Sequence, residues 1–167
     1  IAENLRRLNN IEVLAICMDV RNNEDVQNQI NTLPEDWKEI DVLVNNAGIY
    51  LPGEVSTEEE GRLEKLIETN LYSAYHLTRQ LLPAIQQSQG GHIFNMCSIA
   101  SLAAYPGGGS YSISKFALLG FNKALRAELQ DQGIKVTAIL PGATWSDSWK
   151  GVDLPYDRLM QADDVAK

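Results

Sequence analysis

HIFNMCSIASLAAYPGGGSYSISKFALLGFNKALRAELQDQGIKVTAIL, residues 92–140, carries the fold in miniature. His92 to Cys97 is an apolar run of strand length. Ser110 to Gln130 then repeats apolar residues at helical spacing (Ile113, Phe116, Ala117, Leu119, Ala124, Leu125) and stops near Gly133, as helices do. Ile134 to Leu140 returns to strand character. Strands apolar on both faces, joined by a helix, form a parallel pair with a right-handed crossover and helices on each side.

Working outward, the same alternation recurs. Asp41 to Asn45 (DVLVN) and Ile11 to Val20 (IEVLAICMDV) read as two further strands, making four. Asn23 to Leu33 reads as a helix ending before Pro34. Thr57 to Gln87 reads as a long one, which Pro83 kinks or restarts. The first ten residues look like the tail of a helix, and Ala162 to Lys167 like the start of another. The chain opens on Ile1 rather than Met, so the expectation is one α/β domain over 1–167, incomplete at both ends.

Composition narrows the function. Of 167 residues, 44% are hydrophobic and 22% charged, an ordinary globular balance. Twenty-two acids against fourteen bases give −8, and no Lys/Arg cluster stands out, which argues against nucleic acid and against a polybasic membrane contact. No apolar run approaches the ~20 residues of a membrane helix. Cys17 and Cys97 are too few for a disulfide framework and read as buried packing residues, so a reducing, cytoplasmic setting is the default. His76 and His92 have no companions at metal-ligand spacing, so no metal is expected.

In a parallel α/β fold, ligands sit at the carboxyl ends of the strands. Small and polar residues gather at those ends: Asp19, then Asn45-Asn46-Ala47-Gly48, then Ser98, then Pro141-Gly142. Tyr111 and Lys115 stand four apart on a helix and share one face. An ammonium beside a phenol favours the phenolate, so the pair could handle a proton near neutral pH. Alone it reads better as a solvated helix face with a tyrosine half buried.

The order NNAG, an Asn (Asn70) in the next helix, Ser98, Tyr111-x-x-x-Lys115 and Pro141-Gly142 resembles the short-chain dehydrogenase/reductase family, of the 3-oxoacyl-carrier-protein reductase and sepiapterin reductase type. The resemblance covers the whole chain. It implies a Rossmann-type doubly wound parallel sheet, and an oxidoreductase that moves hydride between NADP or NAD and a small-molecule carbonyl or secondary alcohol. It implies Tyr111 as general acid or base and Ser98 as the hydrogen-bond donor to substrate oxygen. Lys115 would hold the nicotinamide ribose and lower the tyrosine pKa, and Asn70 would fix a relay water. Asp19 and Val20 would lie beside the adenine. Asn46, Ala47, Gly48, Pro141, Gly142, Thr144 and Ser146 would line the cofactor, while Asn45 ties neighbouring strands. Ser101 is the rival to Ser98 but lies off the strand end.

The family's Gly-rich phosphate turn and its first strand-helix-strand unit are missing from this sequence, and Gly107-Gly108-Gly109 does not replace the turn, having no strand ahead of it. The stretch alone is therefore expected to bind dinucleotide poorly. Glu58-Glu59-Glu60 reads as capping charge for its own helix. Trp145 and Trp149, in the connection that also holds Tyr156, read as a substrate wall or a subunit contact. The family's habit of pairing its two long helices implies a homodimer or homotetramer. The alternative reading is a non-catalytic binding or regulatory protein on the same scaffold.

Overall fold

The computed structural model describes residues 2–146 and 156–166. Helix α1 spans Ala2–Asn9 and α2 spans Asn23–Asn31, and strand β1 covers Val42–Asn45. Helix α3 (Arg62–Ile67) runs through a π-helical turn, Glu68–Tyr72, into α4 (Ser73–Ile85). Strand β2 (His92–Met96), α5 (Gly109–Leu129) and β3 (Lys135–Ile139) follow, and α6 is Ala162–Ala166. The strands form one parallel sheet in the order β1-β2-β3, with Asn45 level with Asn95 and Asn95 with Ala138. This is a Rossmann-like parallel sheet with helices.

Local chemistry sets the helix ends. Asn22 caps α2 by accepting from Glu24 N and Asp25 N at 3.0 and 3.2 Å. Gly61, at φ 82°, takes the left-handed conformation, so the long helix begins at Arg62 rather than Thr57. Pro83 lies inside α4 two residues from its end, so it leaves Arg79 O without its helical N–H partner yet does not end the helix. The irregularity falls earlier, at the π turn. There Thr69 Oγ1 bonds Lys65 O at 2.8 Å and Ser73 Oγ bonds Thr69 O at 2.5 Å.

The core lies under one face. Leu43, Ile93 and Val136 from the three strands meet Leu81 and Ile85 of α4 and Leu125 and Leu129 of α5. Each such side chain contributes about 1.5–3 kcal/mol by leaving water. The opposite face is more open, with Val42 and Val44 at 55% and 51% exposure, so the expected helical cover is found on one face among the described residues. The expected fourth strand, Ile11 to Val20, is irregular: it has no ladder partner among the described residues, and an unpaired strand leaves its backbone polar groups to water. Ile11, Leu14 and Ile16 are accordingly exposed, and Cys17, expected inside, is exposed too; Cys97 is buried.

Buried amides stitch the layers together. Asn45 Nδ2 donates to Thr78 Oγ1 and Asn95 Oδ1, and Asn95 Nδ2 donates to Asn122 Oδ1, all at 2.9 Å. Asn45 thus ties β1 to β2 as the sequence suggested. Asn95 joins β2 to α5. Replacing Asn95 by Leu removes two of these bonds and strands the Asn122 carbonyl in the core. Asn95→Leu is expected to destabilise the fold by about 1–3 kcal/mol, read as a lower urea midpoint; an unchanged midpoint would show the amides to be dispensable.

Candidate active site

Ser98 follows β2 at its carboxyl end and caps a short 3-10 turn, Ile99–Ser101. Its Oγ accepts from Ala100 N at 3.1 Å, while its own N–H donates to Ser101 Oγ at 3.2 Å. The turn thus uses the Ser98 Oγ only as an acceptor. Ser101, the rival, is buried and holds the Ser98 backbone. Tyr111 sits in the first turn of α5, near enough to Ser98 for the serine side chain to lower the pKa of the phenol. The two residues, thirteen apart in the chain, are brought to one neighbourhood because the turn after Ser98 packs on α5.

Lys115 lies one turn further along α5 and is buried. Its Nζ donates to Met96 O at 2.8 Å and stands 5.9 Å from the centre of the Tyr111 ring. Burial pulls its pKa down to about 8, opposed by the neighbouring Cys97 thiol. Burial also pushes Tyr111 up, the hydrogen bond from Ser98 draws it back, and Tyr50 adds to the rise. In this structure the largest influence on the tyrosine is its burial. Desolvation dominates, and the ammonium is turned to the strand carbonyl.

Asn70 is fully buried in the π turn. It clamps the loop after β1: Ile49 N donates to Asn70 Oδ1 at 2.8 Å, and Asn70 Nδ2 donates to Ile49 O at 3.0 Å. Its other amide hydrogen goes to Ser114 Oγ at 2.9 Å. Both donors are engaged by protein, so the amide clamps this loop to α5. Gly48 backs onto the same group. A Cβ there would lie 3.4 Å from Asn70 Oδ1 and 3.6 Å from Lys115 Nζ, ordinary contact distances, so the loop runs alongside both groups.

Val20, Asn46 and Ala47 line a cavity of about 170 Å³ at the end of β1, so the irregular segment delivers Val20 to the strand end even without forming a strand. Asp19 beside it is exposed. The Arg21 guanidinium, at 2.6 Å, holds its carboxyl down at about 2. Pro141 O accepts from Ile99 N at 3.0 Å, which brings the fourth expected strand end against the Ser98 turn. Gly142 O accepts from Thr144 Oγ1 at 3.1 Å, and Thr144 bridges to Met160. Ser146 and Trp145 lie further out, both exposed. Trp149 lies outside the described residues.

Two residues escaped the sequence reading, and a third was given the wrong partner. Tyr50 packs edge-on against the Tyr111 ring, with centroids 4.8 Å apart. Tyr105 hydrogen-bonds Tyr50, and burial first, then that bond, raise its pKa. Tyr50 lies two residues past Gly48, so its place at a strand end was the available signal. The third is Glu58. It lies outside any helix, and its carboxylate accepts from Ser110 N at 2.9 Å and from Ser110 Oγ. Its expected capping of its own helix is thus corrected, since it reaches α5 instead.

Comparison with known proteins agrees with this geometry. The family model described as short chain dehydrogenase matches residues 1–156. The chain is 35% identical over 148 residues to an NADP-dependent 3-hydroxy acid dehydrogenase of Salmonella typhi, covering 87% of this chain and 59% of that protein. It is 29% identical over 162 residues to a 3-oxoacyl-[acyl-carrier-protein] reductase of Haemophilus influenzae, covering 91% and 67%. Among solved structures, ElxO with NADP bound superposes with a TM-score of 0.85 at 29% identity, covering 98% of this chain and 73% of that one. A short chain dehydrogenase from Salmonella enterica serovar Typhi gives 0.89 over 98% and 69%; at 21% identity it speaks for the fold alone. The chain thus spans about 59% of the length of the first of these curated relatives. The extent of the match, the parallel sheet and the meeting of Ser98, Tyr111 and Lys115 place this chain in the short chain dehydrogenase family.

Proposed function

We propose that the whole protein is an NAD(P)-dependent oxidoreductase acting on a small carbonyl compound or secondary alcohol. The observation that carries this reading is the packing of the Ser98 turn, at the end of β2, on the helix that bears Tyr111, with a buried lysine one turn behind held to the last residue of β2. An oxygen placed before the two hydroxyls receives a hydrogen bond from Ser98 and a proton from Tyr111 as negative charge develops on it. In the reverse direction Tyr111 takes the proton. Its raised pKa keeps it protonated at neutral pH, which suits it to start as the acid. Lys115 supplies a nearby positive charge, and Asn70 holds the loop that borders the cofactor side.

A nicotinamide dinucleotide supplies or accepts the hydride when bound. The residues present fit its adenine and nicotinamide ends: the cavity at Val20, Asn46 and Ala47, the Gly48 loop beside Lys115, and the Pro141-Gly142 end beside Ser98. Asp19, Thr144 and Ser146 complete the proposed cofactor contacts. The name of the Salmonella typhi relative and the NADP bound to ElxO favour NADP as the first cofactor to try. The names of the curated relatives likewise favour 3-oxo and 3-hydroxy compounds as first substrates.

The partly exposed Leu63, Tyr72, Tyr75, Ile113 and Phe116 of the two long helical segments support a homodimer or homotetramer built on that face. No helix among the described residues is long and apolar enough to cross a membrane. An exposed free thiol at Cys17 supports a reducing, cytoplasmic setting.

The test is oxidation of NADPH by the full-length protein with a panel of 3-oxo esters and simple ketones. Tyr111→Phe is expected to lower kcat by about a hundredfold to ten-thousandfold, and Ser98→Ala by about a hundredfold to a thousandfold, with cofactor affinity retained. Cofactor binding without turnover in the parent would favour the non-catalytic alternative. Lys115 gives a separate handle. Its folded pKa of about 8 lies below the ordinary 10.5, so the folded protein binds that proton less well than the unfolded chain. The cost of burying the charge is therefore full below pH 8 and gone above 10.5. Stability relative to Lys115→Met should rise across that window by up to about 3 kcal/mol. Urea unfolding of both proteins reads the difference, and equal pH dependence would clear Lys115 of it.

A further inference from the structure

The first turn of any helix has N–H groups without partners inside the helix, and it frays unless something caps it. In α5 that turn carries Tyr111, yet its own N-cap, Gly108, offers no side-chain bond. The cap comes from 52 residues upstream. The segment 53–58 folds over the start of α5: Gly53 N donates to Gly107 O at 2.9 Å, and Thr57 N and Glu58 N both donate to Glu54 O at 2.9 Å. From that turn the Glu58 carboxylate receives the Ser110 N–H and the Ser110 hydroxyl, one oxygen each. Arg62 closes the other side of the segment by donating to Pro52 O at 2.7 Å.

Contact at the intervening residue is tight. Gly109 has φ 35°, and a Cβ there would lie 2.1 Å from Glu58 Oε1 and 2.4 Å from Gly53 O. The carboxylate therefore lies directly against the backbone of the helix start. Ser110 is buried, so its hydroxyl depends on a protein partner, and the bonds from Ser110 hold Glu58 in its ionised form, below its ordinary pKa. An anion at a helix N-terminus also offsets the positive end of the helix dipole.

We infer that Glu58 is a positioning residue for Tyr111, fixing the first turn of α5 through Ser110 so that the phenol stays on the oxygen it shares with Ser98. This rests on the reading of Tyr111 as the proton donor. Glu58 touches neither substrate nor cofactor in this role. It acts one residue away, where a small rotation of the turn swings the phenol off its target, and misplacement of about 1 Å costs rate steeply.

The experiment uses full-length protein, NADPH and the best ketone from the panel above. Glu58→Ala is expected to lower kcat roughly tenfold while the KM for NADPH changes less than about twofold. Glu58→Gln keeps a carbonyl oxygen for the Ser110 N–H and is expected to recover kcat to within about threefold of the parent; Ser110→Ala should lose about threefold. The double variant Glu58→Ala/Ser110→Ala should fall no further than Glu58→Ala alone, because the two groups act as one unit. Parent-like kcat in Glu58→Ala, a matching loss of NADPH affinity, or a Gln variant as impaired as Ala overturns the inference. If Glu58→Ala does not fold, Ser110→Ala decides, and a parent-like kcat there overturns it. Tyr111→Phe separates the two readings: turnover retained by that variant removes the proton-donor reading, whereas its loss beside a parent-like Glu58→Ala removes only the role of Glu58.

Discussion

The hydrogen bond from Lys115 Nζ to Met96 O holds the site in one piece. Met96 is the last residue of β2 and Ser98 follows it by two. Tyr111 precedes Lys115 by one helical turn. A single 2.8 Å contact therefore locks the strand end that carries one hydroxyl to the helix that carries the other. The cost is a buried ammonium with a depressed pKa, one that a purely structural helix would avoid by using an apolar residue. A group kept at such expense points to chemistry rather than packing.

Around that bond, the support is amide and carboxylate rather than apolar contact. Asn70 fastens the loop after β1 to α5, Asn95 fastens β2 to α5, and Glu58 fastens the start of α5 to the segment before α3. Every one of these links ends on the same helix. The apolar core of Leu43, Ile93, Leu81 and Leu125 brings the layers together, but it is tolerant of small shifts. Directional bonds set the register to which a proton transfer is sensitive.

Much of this was legible beforehand, for identifiable reasons. Helix α5 and strand β2 were recoverable because periodicity and length agree, and because Ser98, Tyr111 and Lys115 stand at spacings that topology converts into proximity. Ile11 to Val20 misled because its composition is that of a strand while strand structure also requires a neighbour to pair with. Glu58 looked like local capping charge, and nothing within ten residues of it hints at a partner 52 residues away. The burial of Tyr111 and Lys115 was not legible either, because a residue pattern says nothing about how much water surrounds a phenol. Spacing conveys which groups meet. It does not convey what surrounds them.

The π turn at Glu68–Tyr72 has a wider consequence. Helix α3 packs on α5, whereas α4 packs on β1 and α2. A regular rod would aim one apolar stripe in one direction. The widened turn inserts a phase slip, so the stripe before it and the stripe after it point at different walls. The slip also sets the Asn70 amide between them, at the joint. A deletion of one residue there would restore the regular rod and misaim half of its length, so the tolerance of this helix to insertions and deletions should be lowest at its midpoint, away from either end.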